Sequence, residues 1–578
     1  ADRCSAIVSW ERFIYEPFSY RMDFSGGYVG DTYNRCLFST NTMDSAKQVK
    51  MMREFGNDTA DRGPSFQRFR KFIPQGLKFL EKALNVDHEV GKNYFRYNPR
   101  DMLSFVKMTT GGGIFPMRTG VGSHCDFQTK FHNSGKKVFM FEVTFRYFHA
   151  WMVGVLTGKY EPLVDIEVIR QKQEWKKFEG CSMKELSDLY LKLREFFIPS
   201  PTISYLGEYL YKGRRLFERG SVIRIGINFF HGGAYEFAKY LHYDSDKFFW
   251  ATGDVEKLDK HIQDIMLMLY VASGRRYFDW ENMDKSSTAV LEHLIKTLMY
   301  HISHKLVLHL GSFWRFMRGV MYSGGKETSH GDSWIMAFIF FCYCVSVAHD
   351  NPSASSFIYE SLNMNYIAIS VYGDDHLWVC PKILRSLISA RGFAMFLSEC
   401  CSMTLRAFEE YDFFLSVPNY ATGGLLKKGP SFLKRYFIAS KNKDLALVLP
   451  YKPINETMIN LLLKESTADV VDCLLSSIGQ AWDTQGTNPL AYKYVSYFYN
   501  KLTSSFPIQY PRDALAEYIK TQDGSLKLNK LMRRTHISEV DLLLSFPSLS
   551  LMVGRHVYEP DRCVVGRQKD IFADCMVF

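Results

Sequence analysis

Two adjacent carboxylates, Asp374 and Asp375, follow an apolar run in ISVYGDDHLW, residues 369–378. Burying two anions side by side is costly unless something positive meets them. A third acid, Asp254, closes a second apolar run of strand length, KFFWATGD. Asp259 follows it, near the start of a stretch in which Ile262, Ile265, Met266 and Leu269 recur at helical spacing. The segment NYIAISVYGDDHLWVC reads as strand, turn, strand, with HLWV returning beside IAISV and the acids at the tip of the hairpin. If these strands are neighbours, Asp254, Asp374 and Asp375 converge. Hard oxygen donors of this kind suit Mg²⁺ or Mn²⁺. Two such ions about 3.5–4 Å apart clamp the attacking and leaving oxygens of an in-line phosphoryl displacement. A lone Gly-Asp-Asp also arises as an ordinary turn, because both residue types tolerate turn geometry. The neighbouring residues decide between the two.

Between the acids lies MYSGGKETSHGDSW, a Gly-rich turn that runs into the apolar stretch WIMAFIFFCYCVSVA. The series Asp254-x4-Asp259, then Ser323-Gly324-x3-Thr328-x3-Asp332, then Tyr372-Gly373-Asp374-Asp375 resembles motifs A, B and C of viral RNA-dependent RNA polymerases, in that order. CSMTLRAFEEY, 401–411, looks like motif D, and SFLKRYF, 431–437, looks like motif E of the picornavirus-like group. Together the motifs span about 185 residues. The resemblance implies an α+β right-hand polymerase fold of fingers, palm and thumb, with an antiparallel palm sheet carrying the catalytic acids. It implies template-directed RNA synthesis from nucleoside triphosphates with two divalent ions, Mg²⁺ or Mn²⁺, in the service of a viral RNA genome. By position, Asp254 and Asp374 would be the main metal ligands, with Asp375 supporting. Asp259 would contact the ribose of the incoming nucleotide. Ser323 and Gly324 would form a mobile loop touching nucleotide and template, and Thr328 would orient the ribose-sensing residues. Lys434 and Arg435 would lie along the product strand. The implied partners are RNA template and product, nucleoside triphosphates, and other viral replication or capsid proteins. The implied location is a cytoplasmic replication complex of the host, or the virion interior.

The chain departs from the family pattern in two places. Motif B usually ends in Asn, whereas here Asp332 stands. An ionised Asp has no N–H to donate, and two carboxylates facing one hydroxyl repel unless one holds a proton. Ser329-x-x-Asp332 also has the form of a capping box, so Asp332 serves ribose sensing, helix capping or both. In motif D, Glu409 or Glu410 stands where the family often has a general-acid Lys. Lys427 and Lys428 in GGLLKKGP could substitute, or be solvated loop residues. The triphosphate-binding basic motif has two candidates, RQKQEWKK at 170–177 and the set Arg214, Arg215, Arg219 and Arg224. The second is preferred, with Arg219 and Arg224 on the nucleotide, because alternating apolar residues would hold its charges on one strand face. The alternative for both is a solvated charged surface.

These residues need a large scaffold, and 578 residues suffice for more than one core. The division expected is 1–240 for an N-terminal extension and fingers, 241–440 for the palm with a fingers insertion near 272–312, and 441–578 for a mostly helical thumb. MKELSDLYLKLREFF, 183–197, has helical spacing. The net charge of +10 fits a phosphate-bearing partner without requiring one. The 12 Cys include no CxxC, which reads as reduced, intracellular thiols rather than a metal site. No apolar h-region opens the chain, and the 15 residues of the apolar run 334–348 are fewer than the roughly 20 of a spanning helix, so this run reads as a buried helix and not a transmembrane segment. Two rivals remain: a reverse transcriptase, which shares the palm chemistry, and a catalytically silent RNA-binding scaffold of a replication complex.

Overall fold

The computed structural model describes residues 64–85 and 221–563, apart from 257, 304–305, 310–311, 316–320, 322–327, 463–469 and 506–509, with short pieces at 38–39, 153–154, 157, 166–172, 175–176, 194–198, 214 and 218. The described chain is α+β, with small, mainly antiparallel sheets among many helices. A helix near the N-terminal end, α1 (Pro64–Ala83), packs against the centre of the molecule. The central sheet has four antiparallel strands: β1 (Phe248–Val255), β2 (Ala368–Tyr372), β3 (Asp375–Pro381) and β4 (Leu405–Tyr411), in the order β4-β1-β3-β2. The expected hairpin is the β2–β3 pair. Tyr372 stands opposite Asp375, so Gly373 and Asp374 form the two-residue turn. Gly373 takes φ +66°, a left-handed conformation that glycine adopts without a Cβ clash. The tip residues Gly373–Asp375 are only partly buried or exposed, while both strand interiors are almost wholly buried.

The apolar run forms α2 (Thr328–Asp350), every residue of which from His330 to Ala348 is buried. It is apolar on all sides, as a helix enclosed by protein must be. By length and composition it could cross a membrane, but here 94% of its apolar window lies inside the protein. α1 lies against it, with Phe69 edge-on to Phe338 and Gly76 over Cys342. A Cβ on Gly76 would stand 2.4 Å from the Cys342 sulfur, so only glycine allows this approach. α3 (Ala390–Cys401), capped at Ser389, closes the same core through Phe393 and Phe396.

After β4, a hairpin pairs β5 (Tyr436–Ala439) with β6 (Val448–Tyr451). From Ile454 the described elements are all helices, including α4 (Val470–Asp483) and α5 (Gln522–Thr535) around a separate core of Met458, Ile478, Trp482, Val495 and Leu515.

One local expectation is corrected. Arg194–Ile198 is a strand, not the end of a helix, and pairs antiparallel with Ile166–Lys172. That pairing is a long-range contact, which helical spacing within 183–197 cannot report. The alternative basic run also begins in strand Ile166–Lys172 and continues in Trp175–Lys176.

Candidate functional site

The sheet brings the acids to one end. The last registered pair of β1 and β3 is Gly253 with His376, so Asp254 follows opposite Asp375, one step from the Gly373–Asp374 turn. Asp254 and Asp374 are exposed, and Asp375 is half-buried. Burial pushes the Asp375 carboxyl up to about 7, and the negative charges of Asp374 and Asp254 add to it. A hydrogen bond from the Leu433 N–H to Asp375 Oδ2 (2.7 Å) and the Lys434 cation act the other way. Asp332 is buried, at 9% exposure, and its carboxyl stands well above the usual range because of burial and then the charges of Asp259 and Asp374. Asp254, Asp259, Asp332, Asp374 and Asp375 therefore share one electrostatic field, although they come from four separate segments of chain.

Side chains and backbone fix the tip. The Gly373 N–H donates to Ser333 Oγ (2.7 Å), and Ser333 donates in turn to the Ser329 carbonyl, so the first turns of α2 hold the hairpin turn. His376 is fully buried and its Nδ1 reaches back to the Asp374 carbonyl (2.9 Å). The Met321 N–H donates to the Asp259 carbonyl (2.8 Å), tying the segment before α2 to the short helix Leu258–His261 that follows β1.

The two questions about Asp332 separate. Ser329 lies inside the first turn of α2 rather than capping it, and among the described residues Asp332 Oδ1 is buried without a hydrogen-bond partner. Thr328 is the first residue of the same helix. Ser323, Gly324 and Arg219 lie outside the described residues.

The basic candidates divide. Lys434 is 71% exposed and pairs loosely with Glu456 (3.3 Å). Arg435, only 16% exposed, is committed to Asp483 at the end of α4, where Lys452 and Arg534 also converge. Burial lowers the Lys452 ammonium to about 8, with the neighbouring Arg435 and Arg534 adding to this against the attraction of Asp483. The FLKR turn between them is closed by reciprocal hydrogen bonds of Phe432 and Arg435 and puts Leu433 and Lys434 at φ 51° and 60°. Left-handed backbone in non-glycine residues is costly, and this turn uses it to aim the Leu433 N–H at Asp375.

Arg224, expected at the triphosphate, is a core residue in this structure at 2% exposure. Its segment adds to the edge of the central sheet beside Val371, its Nε donates to Ser370 Oγ (3.1 Å), and its guanidinium lies over Phe237 and Tyr240. Residues 221–227 form bends, turns and an isolated bridge rather than a strand, so Arg224 is not held on a strand face with the other arginines. Arg214 is buried as well, paired with Glu218. In the motif D stretch, Glu410 is held by Arg385 and the Ala390 N–H, and Glu409 by Tyr411 and Lys428. Lys427 lies over the Phe413 ring.

The donor set is all carboxylate oxygen, which matches Mg²⁺ or Mn²⁺. Burial raises Asp375 and Asp332 most, and the repulsion among the acids that adds to it is what a bound cation would relieve. Among the described residues, no group of three or more His, Cys, Asp or Glu side chains is placed so that it could hold a metal ion. In comparisons with known proteins, no family and no curated protein matches this chain.

Proposed function

We propose that this chain is a template-directed RNA polymerase with a right-hand fold, the sheet β4-β1-β3-β2 forming its palm and the helices after Ile454 its thumb. The observation that carries the reading is the meeting of Asp254 and Asp375 across paired strands, beside Asp374 at the hairpin tip. Asp254 and Asp374 would hold two divalent ions, with Asp375 in support. When bound, such ions supply charge neutralisation at the phosphates and activate the attacking hydroxyl.

The 3′-hydroxyl of the growing strand attacks the α-phosphate, and pyrophosphate leaves. The protein's own part is placement. Ser333 and His376 hold the Gly373–Asp374 turn in place, so Asp374 presents its carboxylate in one orientation. Asp259 and Asp332 flank the ribose. A proton on Asp332, favoured by its burial and acidic neighbours, lets the pair avoid repulsion while the unpartnered Oδ1 accepts from a 2′-hydroxyl. The exposed Lys434 neutralises a strand phosphate without reading sequence.

The test is incorporation of labelled nucleotides on a defined RNA template with Mg²⁺ or Mn²⁺. Wild-type protein should extend RNA with ribonucleotides. Asp374→Ala and Asp254→Ala should lose at least a thousandfold in rate, on the order expected when a metal ligand is removed, with melting temperatures near wild type because both side chains are exposed. Wild-type activity in a folded Asp374→Ala protein would refute the assignment. Preference for deoxyribonucleotides would indicate a reverse transcriptase, and RNA binding without incorporation a scaffold.

A further inference from the structure

Away from the acids, a buried polar chain joins the first turn of α2 to Arg214 and Glu218. Glu218 accepts from Arg214 Nη1 (3.0 Å), the Tyr277 hydroxyl (2.8 Å) and His330 Nε2 (2.7 Å). On the far side of the imidazole, His330 Nδ1 meets the Tyr270 hydroxyl (3.1 Å). Nε2 donates to Glu218, and Nδ1 accepts from the Tyr270 O–H in the neutral ring or donates to the Tyr270 oxygen in the charged one. Arg214 is itself anchored by the Tyr270 carbonyl and Ser273 Oγ and stacks 4.1 Å over the Tyr270 ring. Burial opposes ionisation of Glu218, but His330, Arg214 and Tyr277 outweigh it and hold the carboxyl down to about 2. Arg214, Glu218 and His330 are all buried at the side chain, so this is not a solvated salt bridge.

The placement of this chain matters more than its strength. Successive helical residues turn by about 100°, so His330 and Asp332 leave opposite faces of the same turn. The turn cannot slide away, because Gly331 lies against Met321 and Tyr270: a Cβ there would meet Met321 Cε at 2.5 Å. Met321 in turn is bonded to the Asp259 carbonyl, and Ser333 holds the Gly373 amide. One face of the turn is thus clamped by Glu218 and Tyr270, while the opposite face carries Asp332, and Ser333, between the two, holds the hairpin turn.

We propose that His330, held by Glu218, is a positioning residue for sugar selection: it fixes the first turn of α2, so that Asp332 stands at the ribose together with Asp259. This rests on the polymerase reading. His330 touches no reacting atom and acts through Asp332.

The experiment compares wild type, His330→Ala, His330→Gln and Glu218→Gln in the full chain. The readouts are KM and kcat for ribo- and deoxyribonucleotides on one RNA template, with melting temperature. His330→Ala should raise KM for ribonucleotides by about tenfold, the scale of one lost buried hydrogen bond to a charged group, and narrow the ribo-to-deoxy ratio by a similar factor, with a smaller change in kcat. His330→Gln, whose amide can donate to Glu218, should recover most of the ratio. Glu218→Gln should narrow it. If His330→Ala fails to fold, His330→Gln and Glu218→Gln carry the comparison, and a wild-type ratio in Glu218→Gln overturns the proposal. Loss of melting temperature with an unchanged ratio in all folded variants also overturns it, leaving His330 as core packing. A wild-type protein that incorporates no nucleotide overturns the polymerase reading and the sugar role with it.

Discussion

Asp332 and Arg435 show how burial reassigns residues that look alike in sequence. Asp332 is buried with an acceptor left open, which points to a ligand. Asp332→Asn keeps the shape and can both donate and accept, so it should fold and still prefer ribonucleotides. Asp332→Ala should lose roughly 1–3 kcal/mol of that preference, the cost of the missing acceptor. Relative incorporation of the two sugars measures both, and equal preference in all three proteins would remove Asp332 from the ribose. Lys434 and Arg435 are neighbours with different work. Lys434→Ala should weaken RNA binding on every sequence and reduce the salt slope by about one unit, with little effect on folding, since exposed ion pairs contribute about 0–1 kcal/mol. Arg435→Ala should instead destabilise the fold by about 1.5–3 kcal/mol, the range for a lost hydrogen bond to a charged group, since Asp483 loses one partner but keeps Lys452 and Arg534. Urea unfolding and salt-dependent RNA binding separate the two, and identical behaviour of both variants would contradict this division.

Elements were legible in the sequence where local pattern alone decides them. The hairpin tip at Gly373–Asp374, the strand ending in Asp254 and the buried helix from Trp334 all follow from apolar runs and turn residues, and all three form. What failed to show was pairing between distant segments. Nothing near Arg224 announces Ser370, and nothing near His330 announces Glu218, because those contacts span more than a hundred residues. The strand at Arg194–Ile198 was hidden by a nearer but still non-local pairing, with Val168–Lys172. The candidate site divides likewise. Its acids were visible as motif residues, whereas Ser333, His376 and the Leu433 amide, which hold them, carry no sequence signature of their own. The hairpin offers a direct check of element geometry. A Cβ on Gly373 would meet nothing within 4 Å, so Gly373→Ala isolates the cost of left-handed backbone. It should lower stability by about 1 kcal/mol, and Gly373→Asn by less. Equal stability of the alanine variant in urea titration would mean that the turn is not left-handed.

Across the whole molecule, the central core and the helical C-terminal region are joined by polar groups as much as by apolar ones. Phe230, which precedes the central sheet, packs on Trp482 and His556. His556 is buried, bonded to the Gln485 carbonyl (2.7 Å), and burial holds its imidazole down to about 4. The unfolded chain takes up this proton near 6.5 and the folded one only near 4. Stability from this group is therefore complete above pH 6.5 and falls as the pH drops toward 4, by about 3 kcal/mol. His556→Gln, which cannot titrate, should flatten that limb of the stability profile, and an unaltered acid limb would show that His556 does not set it. The meeting of Arg435, Lys452 and Arg534 on Asp483 has a practical consequence for dissecting the chain. Cleavage anywhere in 463–469, followed by loss of the C-terminal piece, would strand a buried ammonium and guanidinium with no counter-ion. Such a fragment would keep every acid of the candidate site, yet it should aggregate or unfold unless the missing piece is supplied in trans.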